Sequence, residues 1–149
     1  MPTEFIISRE HNLICSYVFG RNTDIDMIDG VKTLNREASD CSACLEIVCS
    51  LDSDDRNEIT PDGFAKSLAL ESNQPRIIGG KLAIVTTLQN RINALQYTKI
   101  SATSRKDAEV FDNIYDAIDW LGIKNQKELI LEQFNSLKRK HSYTEYPKN

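Results

Sequence analysis

The side chains of this sequence best equipped for chemistry are four cysteines, two histidines and a run of acids that starts at Asp52. Cys41-Ser42-Ala43-Cys44 has the spacing of a dithiol redox centre or of half a zinc site. Redox use needs the first thiol at a helix N-terminus, where the dipole lowers its pKa. Here the pair leads into a strand-like apolar segment. Zinc needs two further ligands, and the histidines are His11, in a predicted turn, and His141, in the tail. Together with Cys15 and Cys49, the pair is expected to be free thiols in a cytoplasmic protein. The run Asp52-Ser53-Asp54-Asp55-Arg56-Asn57-Glu58 is the place for a cation, but a calcium loop counted from Asp52 needs Gly and Glu where Asn57 and Gly63 stand. Two readings remain for it, a metal-dependent enzyme using Asp52 and Asp54, and a solvated acidic loop. There is no Gly-x-Ser-x-Gly, and Gly79-Gly80 precedes a strand-like segment whereas phosphate-binding loops follow one. No cofactor is expected.

The elements that would position these groups follow from periodicity. Residues 4–9 and 13–20 are apolar, β-branched runs separated by Glu10-His11-Asn12, which predicts a β-hairpin. Met27, Val31, Leu34 and Ala38 then fall on one side of a helix whose N-cap is Thr23 or Asp24. Residues 44–51 are mostly apolar, as in a strand covered on both faces. Thr60-Pro61-Asp62 opens a helix with a hydroxyl cap, proline at its first position and an acid at the positive dipole end. Residues 81–87 read as a strand, and Leu88, Ile92 and Leu95 after it keep helical spacing. A short strand at 108–111 precedes a helix with Ile114, Ala117, Ile118 and Leu121 inward and Gly122 as its C-cap. Asn125 and Glu128 predict a capping box for a last helix carrying Ile130, Phe134 and Leu137. Residues 138–149 are expected to form a polar, frayed tail. The fold class is therefore α/β, one domain over residues 1–149, with a mixed four- to five-stranded sheet that starts with a β-hairpin and has helices packed on it.

Composition narrows the partners. The 149 residues carry a net charge of −4, which argues against a broad nucleic-acid surface. No apolar run reaches the roughly 20 residues that span a bilayer, and the first residues lack the basic region of a secretory signal. From Lys124 onward the charge is +3, against −7 before it, so the basic cluster Lys138-Arg139-Lys140 is expected either to meet an acidic neighbour or to suit a helix C-terminus. Trp120 is expected at the edge of the core.

The order of elements, with Lys81-Leu82-Ala83-Ile84-Val85 and the closing Glu109-Val110-Phe111 to Ala117-Ile118-Asp119-Trp120-Leu121, resembles SpoIIAA-like proteins of the STAS/SEC14 type. The resemblance implies a regulatory or binding module rather than an enzyme. In the sigma-factor regulators of that group, a Ser or Thr at the start of the helix after the third strand is phosphorylated by a partner kinase, in a site reading Asp-Ser-Ser-Gly or Asp-Ser-Thr-Gly. This chain has Asp52-Ser53-Asp54-Asp55 there, with Thr60 in the corresponding place at the helix start. The SEC14-like branch implies a crevice for a small apolar or lipid-like molecule. Such a crevice is expected beside the ends of the third and fourth strands, lined by Asp52, Ser53 and Thr60 from one loop and Thr86, Thr87 and Arg91 from the next. The leading expectation is a non-enzymatic cytoplasmic module that binds a protein partner or a small apolar ligand. A phospho-switch at Thr60 or Ser53, the Asp52–Asp54 enzyme and a homodimer built on an exposed apolar patch are the alternatives.

Overall fold

Short apolar strands that alternate with amphipathic helices can cover both their faces only as a sheet between two helical layers. The computed structural model, which describes residues 3–54, 59–101, 105 and 107–147, has that arrangement. Along the chain run β1 (Thr3–Ser8), a 3-10 turn (Arg9–His11), β2 (Leu13–Gly20), α1 (Asp24–Glu37), β3 (Leu45–Ser53), α2 (Pro61–Glu71), β4 (Lys81–Val85), α3 (Arg91–Ser101), β5 (Asp107–Phe111), α4 (Ile114–Leu121), a second 3-10 turn (Lys124–Gln126) and α5 (Lys127–Lys140). The strands lie side by side in sequence order. β1 and β2 are antiparallel, and every later neighbour is parallel. This is the mixed sheet opening on a hairpin that the residue pattern predicts.

Strand alternation sends one set of side chains to each layer. Cys15, Tyr17, Ile47, Cys49, Ala83 and Val85 face α4 and α5, where Ile114, Ile118, Ile130 and Phe134 close the main core. Ser16, Val18, Glu46, Val48, Leu82 and Ile84 face the layer of α1, α2 and α3. Local signals set the helix starts. Thr23 accepts from the Asp26 N–H while Asp26 accepts from the Thr23 N–H, a complete capping box. Thr60 accepts from the Gly63 N–H with Pro61 as the first helical residue. α4 ends on Gly122 at φ +73°, where its N–H reaches the carbonyls of Ile118 and Asp119. All four cysteines are free and buried. Burial pushes the Cys44 thiol up to about 12. No helix among the described residues is long and apolar enough to cross a membrane.

Three local expectations differ from the structure, and the face that one predicted helix presents is settled by it. Asp52 and Ser53 belong to β3 rather than to a loop, and residues 55–58 of the acidic run lie outside the described residues. Leu88, Ile92 and Leu95 stand in solvent, at 81%, 70% and 42% exposure, because α3 presents the small Ala94 to Leu82, Ile84 and Val110 instead. α5 starts at Lys127 without a side-chain cap, after the 3-10 turn that takes up Asn125. The segment from Lys138 is docked: α5 continues to Lys140, Lys138 is buried, and Tyr143 and Tyr146 pack on the main core. The basic cluster finds its acids within this chain, Lys138 on Asp52, Arg139 on Glu132 and Glu145, and Lys140 on Glu4. Trp120 is half-buried against Phe111, with Lys81 over its ring.

Candidate functional site

The two helical layers pack differently. α4 and α5 pack Ile114, Ile118, Ile130 and Phe134 onto their face of the sheet, whereas a half-open cavity of about 350 Å³ lies between α1, α2 and α3 and strands β1–β4. Its walls are Phe5, Val18, Val31, Leu34, Val48 and Ile84. The stripe of α1 that periodicity predicts therefore faces a cavity as much as a core. From Glu46 to Ser53, both in its lining, the cavity follows β3 for about 20 Å at some 3.3 Å per residue.

Its two ends differ in chemistry. At the carboxyl ends of the strands stand Asn22, Ser53, Thr86 and Asn90, with exposed Gln89 and Asn93 at the opening. At the amino ends, Glu46, Glu71, Arg76 and Arg105 close the cavity, at 3%, 5%, 1% and 5% exposure. Arg76 Nη1 donates to Glu46 Oε1 at 2.6 Å, and Arg105 Nη1 lies 2.5 Å from Glu46 Oε2. Arg76 Nη2 donates to Asn35 Oδ1 at 3.0 Å and to Glu71 Oε2 at 3.2 Å. Arg76 Nε and Glu71 Oε1 have no hydrogen-bond partner among the described residues. Burial raises the Glu71 carboxyl above the usual carboxylate range and Glu46 adds to this, against the pull of Arg105 and Arg76.

The six polar residues expected to line a crevice are divided by the fold. Ser53 and Thr86 line the cavity. Asp52 faces the opposite layer, because β3 carries an extra residue against β2: Tyr17 pairs with Cys49, but Phe19 pairs with Asp52. There Asp52 accepts from the Tyr17 hydroxyl at 2.5 Å and from Lys138 Nζ at 2.7 Å. Lys138 also lies over the rings of Tyr17 and Tyr146, and the Tyr146 hydroxyl is 3.0 Å from Cys49 Sγ. Burial first, and then the charge and hydrogen bonding of Asp52, push the Tyr17 hydroxyl up. Thr60 donates its hydroxyl and its N–H to the Asp24 carboxylate, which holds Asp24 below the usual carboxylate range. Thr87 accepts from the Asn90 N–H at 3.4 Å, and Arg91 is exposed at the start of α3. Among the described residues no group of three or more His, Cys, Asp or Glu is placed to hold a metal ion.

Sequence reasoning passes over all four residues of the closed end. One signal for them exists. Glu46 sits within Leu45-Glu46-Ile47-Val48-Cys49, a strand covered on both faces, and a carboxylate there requires a cation. Which cation could not be read, since Arg76 and Arg105 arrive from two separate connections.

No family model matches the chain, and no curated protein matches it. Among solved structures it is similar to an uncharacterised protein of the DUF3478 family with a SpoIIAA-like fold from Shewanella loihica PV-4. The likeness has a TM-score of 0.54 at 14% identity and covers 80% of this chain and 93% of that one. A hairpin-led five-stranded sheet with parallel order β2 to β5, matched over most of both chains, fixes the architecture: the chain has the SpoIIAA-like fold.

Proposed function

We propose that this protein is a non-catalytic binding module that holds a small, elongated, mainly apolar molecule between its sheet and α1–α3. The observation that carries this reading is the cavity of about 350 Å³, within the range of small-molecule sites and walled by aliphatic and aromatic side chains. Evolution fills a core with side chains when packing is its only purpose, since voids cost stability. On the other face of the same sheet Tyr17, Ile47, Ile118, Ile130 and Phe134 are buried together in the main core. The polar residues at the opening suit a ligand end that remains near water. A catalytic reading has less support, because Asp52 is taken up by Tyr17 and Lys138 and faces away from the cavity. The phospho-switch reading has the Thr60 hydroxyl engaged by Asp24, whose charge would oppose a phosphate there.

The test is native mass spectrometry of the protein before and after incubation with 1-dodecanol, beside a Val48→Phe variant that fills the middle of the cavity. Uptake of one alkyl molecule by the native protein and none by the variant is expected. A native protein that takes up no alkyl chain, or a folded variant that binds as well as the native protein, refutes the reading.

A further inference from the structure

The start of α3 is set with its polar side toward the cavity. Gln89, Asn90, Asn93 and Ala94 all line that space, and their i, i+1, i+4, i+5 spacing puts them on one side of the first helical turn. Leu88 and Ile92, on the other side, stand in solvent at 81% and 70% exposure. Packing alone would choose the reverse, because a helix against a sheet gains by burying its aliphatic stripe. The reversal points to recognition by the amides. Ser53 and Thr86 add hydroxyl groups to the lining of the same end. Among the described residues the lining there carries no charge, since its charged members are Glu46, Glu71, Arg76 and Arg105 at the amino ends of the strands. Those four are paired with one another.

We propose that the molecule held in the cavity is a neutral amphiphile, with its alkyl tail toward the amino ends of the strands and an uncharged amide or hydroxyl head among Gln89, Asn90 and Asn93. This rests on the reading that the cavity holds an apolar molecule and names the head-group class of that molecule. Each carboxamide side chain carries two donors and an acceptor, so the three can answer a head that both gives and takes hydrogen bonds. Gln89 and Asn93 are exposed at the opening, where a head can reach them without displacing the core. A charged head meets no opposite charge among the described lining residues of that end and loses part of its hydration on entry. In the reverse orientation a head would meet Glu46 with an arginine already on each oxygen.

The experiment compares dodecanamide, N,N-dimethyldodecanamide, dodecanoate and dodecyltrimethylammonium by displacement of a fluorescent alkyl reporter from the native protein. Dodecanamide is expected to bind about tenfold tighter than each of the other three, as two hydrogen bonds of ordinary net strength give. The dimethylamide is the more apolar of the two amides and has no donor, so hydrophobicity alone would give the opposite order. A Gln89→Leu, Asn93→Leu protein, altered only at exposed positions, is expected to bind dodecanamide about tenfold more weakly than the native protein. The dimethylamide or either ion bound as tightly as dodecanamide overturns the head-group class and leaves the apolar cavity standing. Undiminished affinity of the folded variant for dodecanamide overturns the placement of the head at α3. Displacement by none of the four overturns this inference together with the reading it rests on. The native series needs no variant, so it decides the head-group class even if that protein does not fold.

Discussion

Glu46→Gln removes a single negative charge from the closed end of the cavity at nearly constant shape. In the native protein Glu46 stands between two arginines, 2.6 Å from Arg76 and 2.5 Å from Arg105, with its side chain 4% exposed. A glutamine can accept from one arginine but must turn its NH2 toward the other, leaving two buried guanidinium groups with Glu71 as the nearby carboxylate. Breaking a buried pair from one side costs about 3–5 kcal/mol. That is a large part of the roughly 5–15 kcal/mol that holds a domain folded. With a urea dependence of about 2 kcal/mol per molar, the unfolding midpoint is expected to fall by roughly 2 M at unchanged slope. Equilibrium urea unfolding followed by the fluorescence of Trp120 reads this directly. A Glu46→Leu, Glu71→Leu, Arg76→Met, Arg105→Met protein should recover most of the loss, because it removes all four charges together with their desolvation. A Glu46→Gln midpoint within about 0.5 M of native, a loss of only about 1 kcal/mol, would mean that the arginines are already solvated through the cavity. The four charged side chains at this end would then be reached by solvent in spite of their burial.

Three further outcomes follow from the same geometry. Lys138→Met strands Asp52, which the lysine holds at 2.7 Å with side chains 5% and 21% exposed, and should cost about 2 kcal/mol in chemical unfolding; adding Asp52→Asn should return part of it, and strict additivity of the two losses would show that they do not interact. Gly80→Ala puts a Cβ 2.6 Å from the Cys44 carbonyl oxygen and 2.8 Å from that of Arg76, both main-chain atoms that cannot swing aside. A destabilisation of about 1–3 kcal/mol is expected, and a native melting temperature would refute it. Glu71 sits among Arg76, Arg105 and Glu46, and its folded pKa is raised above the ordinary 4.5. The folded state therefore holds the extra proton between that value and the raised one, so Glu71's contribution is present below 4.5 and is lost as pH rises through the window. The native-minus-Glu71→Gln stability difference should fall with rising pH, and a difference that rises instead contradicts the assignment.

What the sequence determined by itself is local. The hairpin, the helix start at Thr23 or Asp24, the Thr60-Pro61 start and the Gly122 stop rest on propensities and hydrogen bonds that span only a few residues, so they can be read in order along the chain. The strands themselves follow from apolar runs joined by helical crossovers, whereas their order across the sheet is given by the tertiary structure. Tertiary structure decided which face each side chain serves. One extra residue in β3 turns Asp52 toward α5 and Ser53 toward the cavity, because strand alternation has a period of two and a single insertion inverts it. The helical spacing of Leu88, Ile92 and Leu95 was plain, yet their stripe faces solvent, because close packing of α3 on β4 and β5 falls to the smaller Ala94. Lys138 read as tail charge until α5 laid it over Tyr17 and onto Asp52, 86 residues away. The closed end depends most on the fold. Glu46 reveals its need for a cation from its own strand, but Arg76, 30 residues further on, meets it only when the connection into β4 folds across the sheet. A buried charge states a demand locally, and only long-range packing chooses the group that meets it.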